Sequence, residues 1–189
     1  MTANDGGETG DRTRRAPDGG TASGRVVGIH VAPSAGEDMA ARDRVEAVAG
    51  RGLRGDRYFA ETGTYTDSAR DVPRDVTLIE RETLAALERD YDIDLPPGAH
   101  RRNVTTEGIA LNHLVGDRVR LGDAVVEITE LCEPCSYLQE LLGVADLYDA
   151  LRHRGGLRGR IVEDGTVAVG DPVTPMEDAD AAIPRDERG

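Results

Sequence analysis

Short β-branched runs broken by turn residues set the rhythm of the chain. Arg25-Val26-Val27-Gly28-Ile29-His30-Val31 and Asp75-Val76-Thr77-Leu78-Ile79 are two such runs. Asn103-Val104-Thr105-Thr106 follows the turn-forming Pro96-Pro97-Gly98. Arg118-Val119-Arg120-Leu121 alternates polar and apolar positions, and Gly122-Asp123 turns it back into Ala124-Val125-Val126-Glu127-Ile128-Thr129, which predicts a hairpin. Arg160-Ile161-Val162-Glu163 and Thr166-Val167-Ala168-Val169 flank Asp164-Gly165, a type I′ signal that predicts a second hairpin. Gly170-Asp171-Pro172 then closes the last strand.

Helical periods are fewer. Residues 80–90 place Leu84, Leu87 and Tyr91 on one face, at spacings of three and four. Residues 136–142 carry Leu138, Leu141 and Leu142, with Gly143 as a stop. Asp146 is set to cap a helix over 147–154 that ends at Gly155-Gly156. Many short strands with a few interposed helices predict a β-barrel, closed so that no edge is exposed. The regular strand–helix alternation of a parallel doubly wound fold is absent.

Residues 1–23 are Gly, Thr, Asp and Arg without an apolar period and are expected to be a disordered tail. Residues 176–189 are expected to form a second, acidic one. One domain over 24–175 lies between them, long enough to fold without disulfide staples. The start of the chain has neither a basic segment nor an apolar stretch of signal-peptide type, and no apolar run is long enough to span a membrane. Two cysteines are too few for a disulfide framework, so a cytoplasmic protein with reduced thiols is expected.

Net charge is −13 with pI near 4.7, and all 23 basic residues are arginine. A dense acidic surface without lysine suits strong salt, where repulsion is screened within ~3 Å at 1 M. It predicts a halophilic source, although a GC-rich genome gives the same Arg bias. The same charge excludes a general nucleic-acid surface, which needs a basic face.

Against this background three segments carry candidate chemistry. Leu131-Cys132-Glu133-Pro134-Cys135 holds both thiols, three residues apart, between a strand-like and a helix-like run. The pair can be read as half a zinc site, with His153 the only downstream histidine, in a predicted helix. It can also be read as a redox dithiol, or as a thiolate ligand or nucleophile beside a buried apolar neighbour. The last reading gives the work to Cys135, which follows Pro134 at a helix start, and puts Cys132 in the wall. Gly52-Leu53-Arg54-Gly55-Asp56-Arg57 is a tight turn in which Arg57 grips an anion or merely pairs with Asp56. In His100-Arg101-Arg102-Asn103 two arginines form a basic spot. Strand alternation predicts Arg101 and Asn103 on one face and Arg102 on the other.

Taken in order, these segments resemble the MOSC domain family, named for the C-terminal part of molybdenum cofactor sulfurase. The carriers are Gly52-Leu53-Arg54-Gly55-Asp56-Arg57, Val76-Thr77-Leu78-Ile79 before a helix, and Arg101-Arg102-Asn103-Val104 with Thr105-Thr106-Glu107-Gly108. Val115-Gly116-Asp117-Arg118-Val119-Arg120-Leu121-Gly122 and Pro134-Cys135 follow, and the likeness runs from about residue 25 to 173. Gly155-Gly156-Leu157-Arg158-Gly159 and Gly170-Asp171-Pro172-Val173 fit the family's ending.

The resemblance implies a mainly β, single-domain barrel of pyruvate-kinase-barrel type with a few helices. It implies that Cys135 is the catalytic thiol. In family members that hold molybdenum, that thiolate ligates the metal of the molybdenum cofactor (molybdopterin). In others it carries sulfur as a persulfide. Arg57, Thr77, Arg101 and Asn103 match cofactor-pocket positions, with Arg57 near the pterin or its phosphate. Cys132 matches a position that varies among relatives.

Three functions follow from the resemblance. One is reduction of N-hydroxylated or N-oxide compounds with a separate electron-donor protein, because the barrel domain and the iron–sulfur or flavin modules of larger members have no counterpart here. The second is sulfur transfer, with a cysteine desulfurase as partner. The third is non-catalytic carriage of the pterin cofactor. The family also carries an association with pyridoxal phosphate binding. The partners implied are a small-molecule cofactor and substrate, without nucleic acid or membrane.

Overall fold

The computed structural model describes residues 23–63 and 74–176. The two expected tails fall almost wholly outside the described residues, apart from Ser23 and Met176. In chain order the elements are β1 (Gly24–Val31), β2 (Ala40–Ala41), β3 (Arg44–Val48), β4 (Gly52–Leu53), β5 (Val76–Glu80) and α1 (Arg81–Tyr91). Then come β6 (Val104–Glu107), a 3-10 turn (Leu111–Leu114), β7 (Arg118–Leu121), β8 (Ala124–Leu131), α2 (Ser136–Leu142), α3 (Leu147–Leu151), β9 (Leu157–Glu163), β10 (Gly165–Ala168) and β11 (Pro172–Met176).

Seven strands close into a barrel in the order β11-β7-β8-β9-β5-β6-β1, with β11 pairing back onto β1 through Gly24 opposite Val173. Closure leaves no open edge in this ring, as the many short strands predict. All neighbours are antiparallel except β5 and β6, which are parallel and joined through α1. A parallel pair needs such a crossover, whereas β7 and β8 need only the Gly122-Asp123 turn, with Gly122 at φ 60. No helix among the described residues is long and apolar enough to cross a membrane.

Strand alternation splits the apolar residues into two clusters. Val26, Leu78, Val104, Val119, Leu121, Val126, Ile128, Leu157 and Ile161 belong to the larger one. Ile79, one residue beyond Leu78, belongs instead to a smaller cluster with Leu87, Leu138, Leu147 and Leu151 from the three helices. Cys135 packs against this smaller cluster, so the helices and β5 together hold the thiol-bearing segment.

Several expectations are corrected. β9 and β10 do not form a hairpin across Asp164-Gly165. β10 pairs with β3, from Gly165 opposite Ala47 to Ala168 opposite Arg44, in a separate three-stranded sheet β10-β3-β4. A type I′ turn needs positive φ at both central residues, and Asp164 and Gly165 are not among the positive-φ residues. Gly165 instead passes so close to the β7–β8 turn that a Cβ would stand 2.4 Å from Ala124 N. The strand expected to end at Gly170-Asp171-Pro172 is followed by β11, which closes the barrel.

The helices also differ in detail. α3 stops at Leu151, and Asp146 gives it no side-chain cap because its backbone is left-handed, φ 61, rather than extended. His153 therefore lies beyond the helix, itself at φ 62. Leu87 is buried as expected of that face of α1, but Tyr91 is 46% exposed and Thr83 is buried in addition. α2 ends at Gly143, which adopts φ 62 as a left-handed C-cap.

Candidate functional site

The segment before α2 is built against β9. The Cys132 N–H donates to Gly156 O at 2.7 Å, and Cys132 is 4% exposed. The chain then runs through exposed Glu133 and buried Pro134 to Cys135, which is half-buried at the start of α2. Cys132 and Cys135 both line one cavity, about 630 Å³ of open space partly continuous with solvent.

The turn after β4 enters the same cavity. Gly52 at φ 108 and Gly55 at φ 86 bend the backbone so that the Asp56 carboxylate points inward. That carboxylate is buried, and it accepts from Ala32 N at 3.2 Å, Tyr58 N at 3.1 Å and Asn103 Nδ2 at 3.0 Å. It also pairs with Arg57 Nη1 at 3.3 Å. Arg57 lies over the Tyr58 ring, 4.9 Å from its centroid, and lines the cavity. Arg57 is thus at once an ion-pair partner and a cavity wall.

The Arg101–Asn103 segment departs from the strand alternation expected of it. Arg101 sits at φ 60 in a turn, and β6 starts only at Val104. Arg101 and Arg102 both line the cavity, whereas Asn103 does not. Asn103 is 1% exposed: Oδ1 accepts from Thr77 N at 3.1 Å and Thr77 Oγ1 at 2.9 Å, and Nδ2 donates to His30 O and Asp56 Oδ2. Arg101 Nη1 donates to Glu37 O at 2.6 Å. Burial, and then the neighbouring Arg57 charge, lower the Arg101 pKa from its ordinary value.

Arg57, Thr77, Arg101 and Cys135 therefore share one cavity, and Asn103 supports it from behind. Sequence reasoning passed over Arg74, Arg102 and Arg158 as cavity residues, together with Tyr58, Glu133 and Tyr137. Arg158 sat within the quoted Gly155–Gly159 run, but only pairing of β9 with β8 turns it toward Cys132. Burial works against the Arg158 charge, but the Cys132 sulfur and the Glu130 carboxylate, 2.7 Å away, raise its pKa.

Five guanidinium groups and one carboxylate, Glu133, line the cavity of a protein whose net charge is −13. Such a wall suits an anion, and phosphate above all, because a guanidinium fork matches two oxygens. Among the described residues no group of three or more His, Cys, Asp or Glu is placed to hold a metal ion. His153 in particular turns to Glu133, with Nδ1 3.0 Å from its carboxylate, rather than completing a site with the thiols.

Comparison with known proteins agrees with this architecture. The MOSC domain profile matches residues 34–174. No curated protein sequence matches the chain. Among solved structures, the YuaD protein from Bacillus subtilis superposes with TM-score 0.67 at 17% identity, covering 81% of this chain and 95% of its own. YiiM from Geobacillus stearothermophilus gives TM-score 0.64 at 20% identity, over 84% of this chain and 78% of that one. YiiM from Escherichia coli gives 0.57 at 18%, over 81% and 70%. At these identities the likeness speaks for the fold.

Proposed function

The chain belongs to the MOSC domain family, and from that premise we propose that it binds the molybdenum cofactor through Cys135 and reduces N-hydroxylated or N-oxide compounds with electrons from a separate donor protein. The observation that carries the proposal is the pairing of one half-buried thiol with five arginines in a single cavity. A thiolate is a soft donor suited to a metal already held by sulfur. The guanidinium groups suit the phosphate of a pterin cofactor. The residues present fit the group.

When bound, the cofactor supplies two-electron redox chemistry at molybdenum. The chain's own contributions are separate. Cys135 offers its Sγ as the single protein ligand. Arg57 and Arg101 hold the anionic end: Arg57 is steadied by Asp56, and Arg101 Nη1 donates to Glu37 O. Leu138 and Tyr137 wall the cavity beside Cys135. The phenolic hydroxyls of Tyr58 and Tyr137, which also line the cavity, are of a donor type that suits a substrate oxygen.

Protein purified from a host that makes the cofactor tests the reading. Molybdenum and pterin near one per chain are expected, both lost in Cys135→Ala and mostly kept in Cys132→Ala. Absence of molybdenum, with a mass increase of one sulfur on Cys135, would replace the reductase with a sulfur carrier. Retained cofactor without turnover of N-oxygenated compounds would leave a cofactor carrier.

A further inference from the structure

Arg102 lines the cavity beside Arg57 and Arg101, yet all three of its side-chain hydrogen bonds go to main-chain carbonyls. Nε donates to Gly155 O at 2.8 Å, one terminal nitrogen to His100 O at 3.1 Å, and the other to Cys132 O at 3.1 Å. The residue is 7% exposed. Its own N–H donates to His100 Nδ1 at 3.1 Å, which fixes its backbone as well. This guanidinium is spread over three main-chain carbonyls, in the planar fork geometry that only arginine supplies.

Two of those carbonyls belong to the facing sides of one seam. Cys132 opens the segment that leads to Cys135, and Gly155 opens the approach to β9. The seam is already tight: a Cβ on Gly155 would stand 2.4 Å from Cys132 O, 3.3 Å from an Arg102 terminal nitrogen and 3.4 Å from Pro134 Cδ. The Cys132 N–H bond to Gly156 O crosses the same seam. Arg101 is unlike its neighbour, being half-buried with a bond to a single carbonyl, that of Glu37.

We propose that Arg102 is a positioning residue that fixes where Cys135 stands, by stapling the Cys132 carbonyl to the Gly155 wall, and that it does not itself grip the bound anion. The proposal rests on the reading of Cys135 as the working thiol, but its test needs no cofactor. Two readouts are made on the full chain: iodoacetamide modification of each cysteine, located by peptide mass, and hydrogen exchange at the Cys132 amide. In the unaltered protein Cys135 reacts and Cys132 is protected. Arg102→Ala is expected to speed both Cys132 alkylation and Cys132 amide exchange by about tenfold or more through local opening, with the β7–β8 hairpin amides unchanged. Arg102→Lys should fail to restore protection, because one ammonium cannot span three carbonyls. Arg101→Ala should leave Cys132 protected while weakening binding of inorganic phosphate.

If Arg102→Ala leaves Cys132 protected and weakens phosphate binding as Arg101→Ala does, Arg102 is an anion ligand and the proposal fails. Restoration by Arg102→Lys would also overturn it. Should Arg102→Ala not fold, Gly155→Ala serves instead: it keeps the guanidinium but displaces the Cys132 carbonyl, so Cys132 should lose protection, and unchanged protection sinks the idea. A protein without molybdenum would defeat the proposed activity and leave these readouts intact, so the two failures are distinguishable.

Discussion

Asn103 and Thr77 are locked in a reciprocal pair: the Asn103 carbonyl oxygen accepts both the Thr77 N–H and its hydroxyl, while the Asn103 N–H donates back to Thr77 Oγ1 and O, each at 3.0 Å. The pair stitches β5 to β6 where the parallel ladder begins, and the Asn103 amide nitrogen reaches on to Asp56 at 3.0 Å. One buried side chain thereby connects the strand bearing Thr77, the turn bearing Arg57 and the approach to Arg101.

Asn103→Ala leaves the Thr77 N–H and hydroxyl without the acceptor they share in the interior, and takes one of four donors from the Asp56 carboxylate. Stability should fall by about 2–4 kcal/mol in urea unfolding. A loss below about 0.5 kcal/mol, the level of an ordinary surface change, would contradict this network.

The Asp56–Arg57 pair is buried on both sides. Asp56→Ala leaves a guanidinium without its counter-charge and should destabilise by about 3–5 kcal/mol. Adding Arg57→Met to that variant removes the stranded charge and should recover at least about 1 kcal/mol. Simple additivity of the two changes would show that the pair is not coupled.

His100 is buried, and burial together with the Arg102 and His30 charges lowers its pKa from 6.5 to about 3. The unfolded chain therefore takes up this proton between pH 6.5 and about 3 while the folded protein does not. Its contribution to stability is fully present above 6.5 and is lost as pH falls across that window, with a slope approaching about 1.4 kcal/mol per pH unit. Burial lowers the His30 pKa too, in the same sense. Urea unfolding between pH 7 and 5 should show a shallower slope for His100→Gln than for the unaltered protein. Equal slopes would mean that His100 is protonated in the fold.

Gly156 sits at φ 99 with the Leu78 carbonyl so close that a Cβ would overlap it, whereas Gly116 at φ 95 has open space around it. Both conformations disfavour a side chain, but only one position also lacks room. Gly116→Ala should cost about 1–2 kcal/mol from its backbone alone, and Gly156→Ala clearly more, read by thermal or urea unfolding. Equal losses would refute the packing argument.

Arg101 is half-buried at the cavity, and its guanidinium donates to the Glu37 carbonyl. Arg101→Ala should weaken binding of inorganic phosphate by roughly 10- to 100-fold, the worth of one or two charge-assisted hydrogen bonds, with little change in stability. Calorimetric titration of both proteins checks it; unchanged affinity would remove Arg101 from the anion site.

The barrel and the thiol were legible because both are local. β1, β5, β7 and β8 announce themselves as β-branched or alternating runs, Gly122-Asp123 is a turn whatever surrounds it, and Gly143 ends α2 by its own conformational freedom. Cys135 stood out as a thiol beside a proline at a helix start. Even β3, with Val45 and Ala47 buried between exposed Arg44 and Glu46, carried a period-two signal that could have been found.

Partner choice and side-chain direction belonged to the tertiary structure. Whether β10 folds back on β9 or crosses to β3 depends on how tightly Gly165 passes the β7–β8 turn, a contact between residues some forty apart. At Arg101 a single positive φ cancels strand alternation, so Arg101 and Arg102 both reach the cavity and Asn103 is withdrawn beneath it. Sequence spacing named the arginines, but only the closed barrel decided which line the cavity, that Arg102 spends its guanidinium on main-chain carbonyls, and that Arg158 would join them beside Cys132. Those roles follow from carbonyls and carboxylates contributed by distant segments, whose positions exist only once the ring of seven strands has closed.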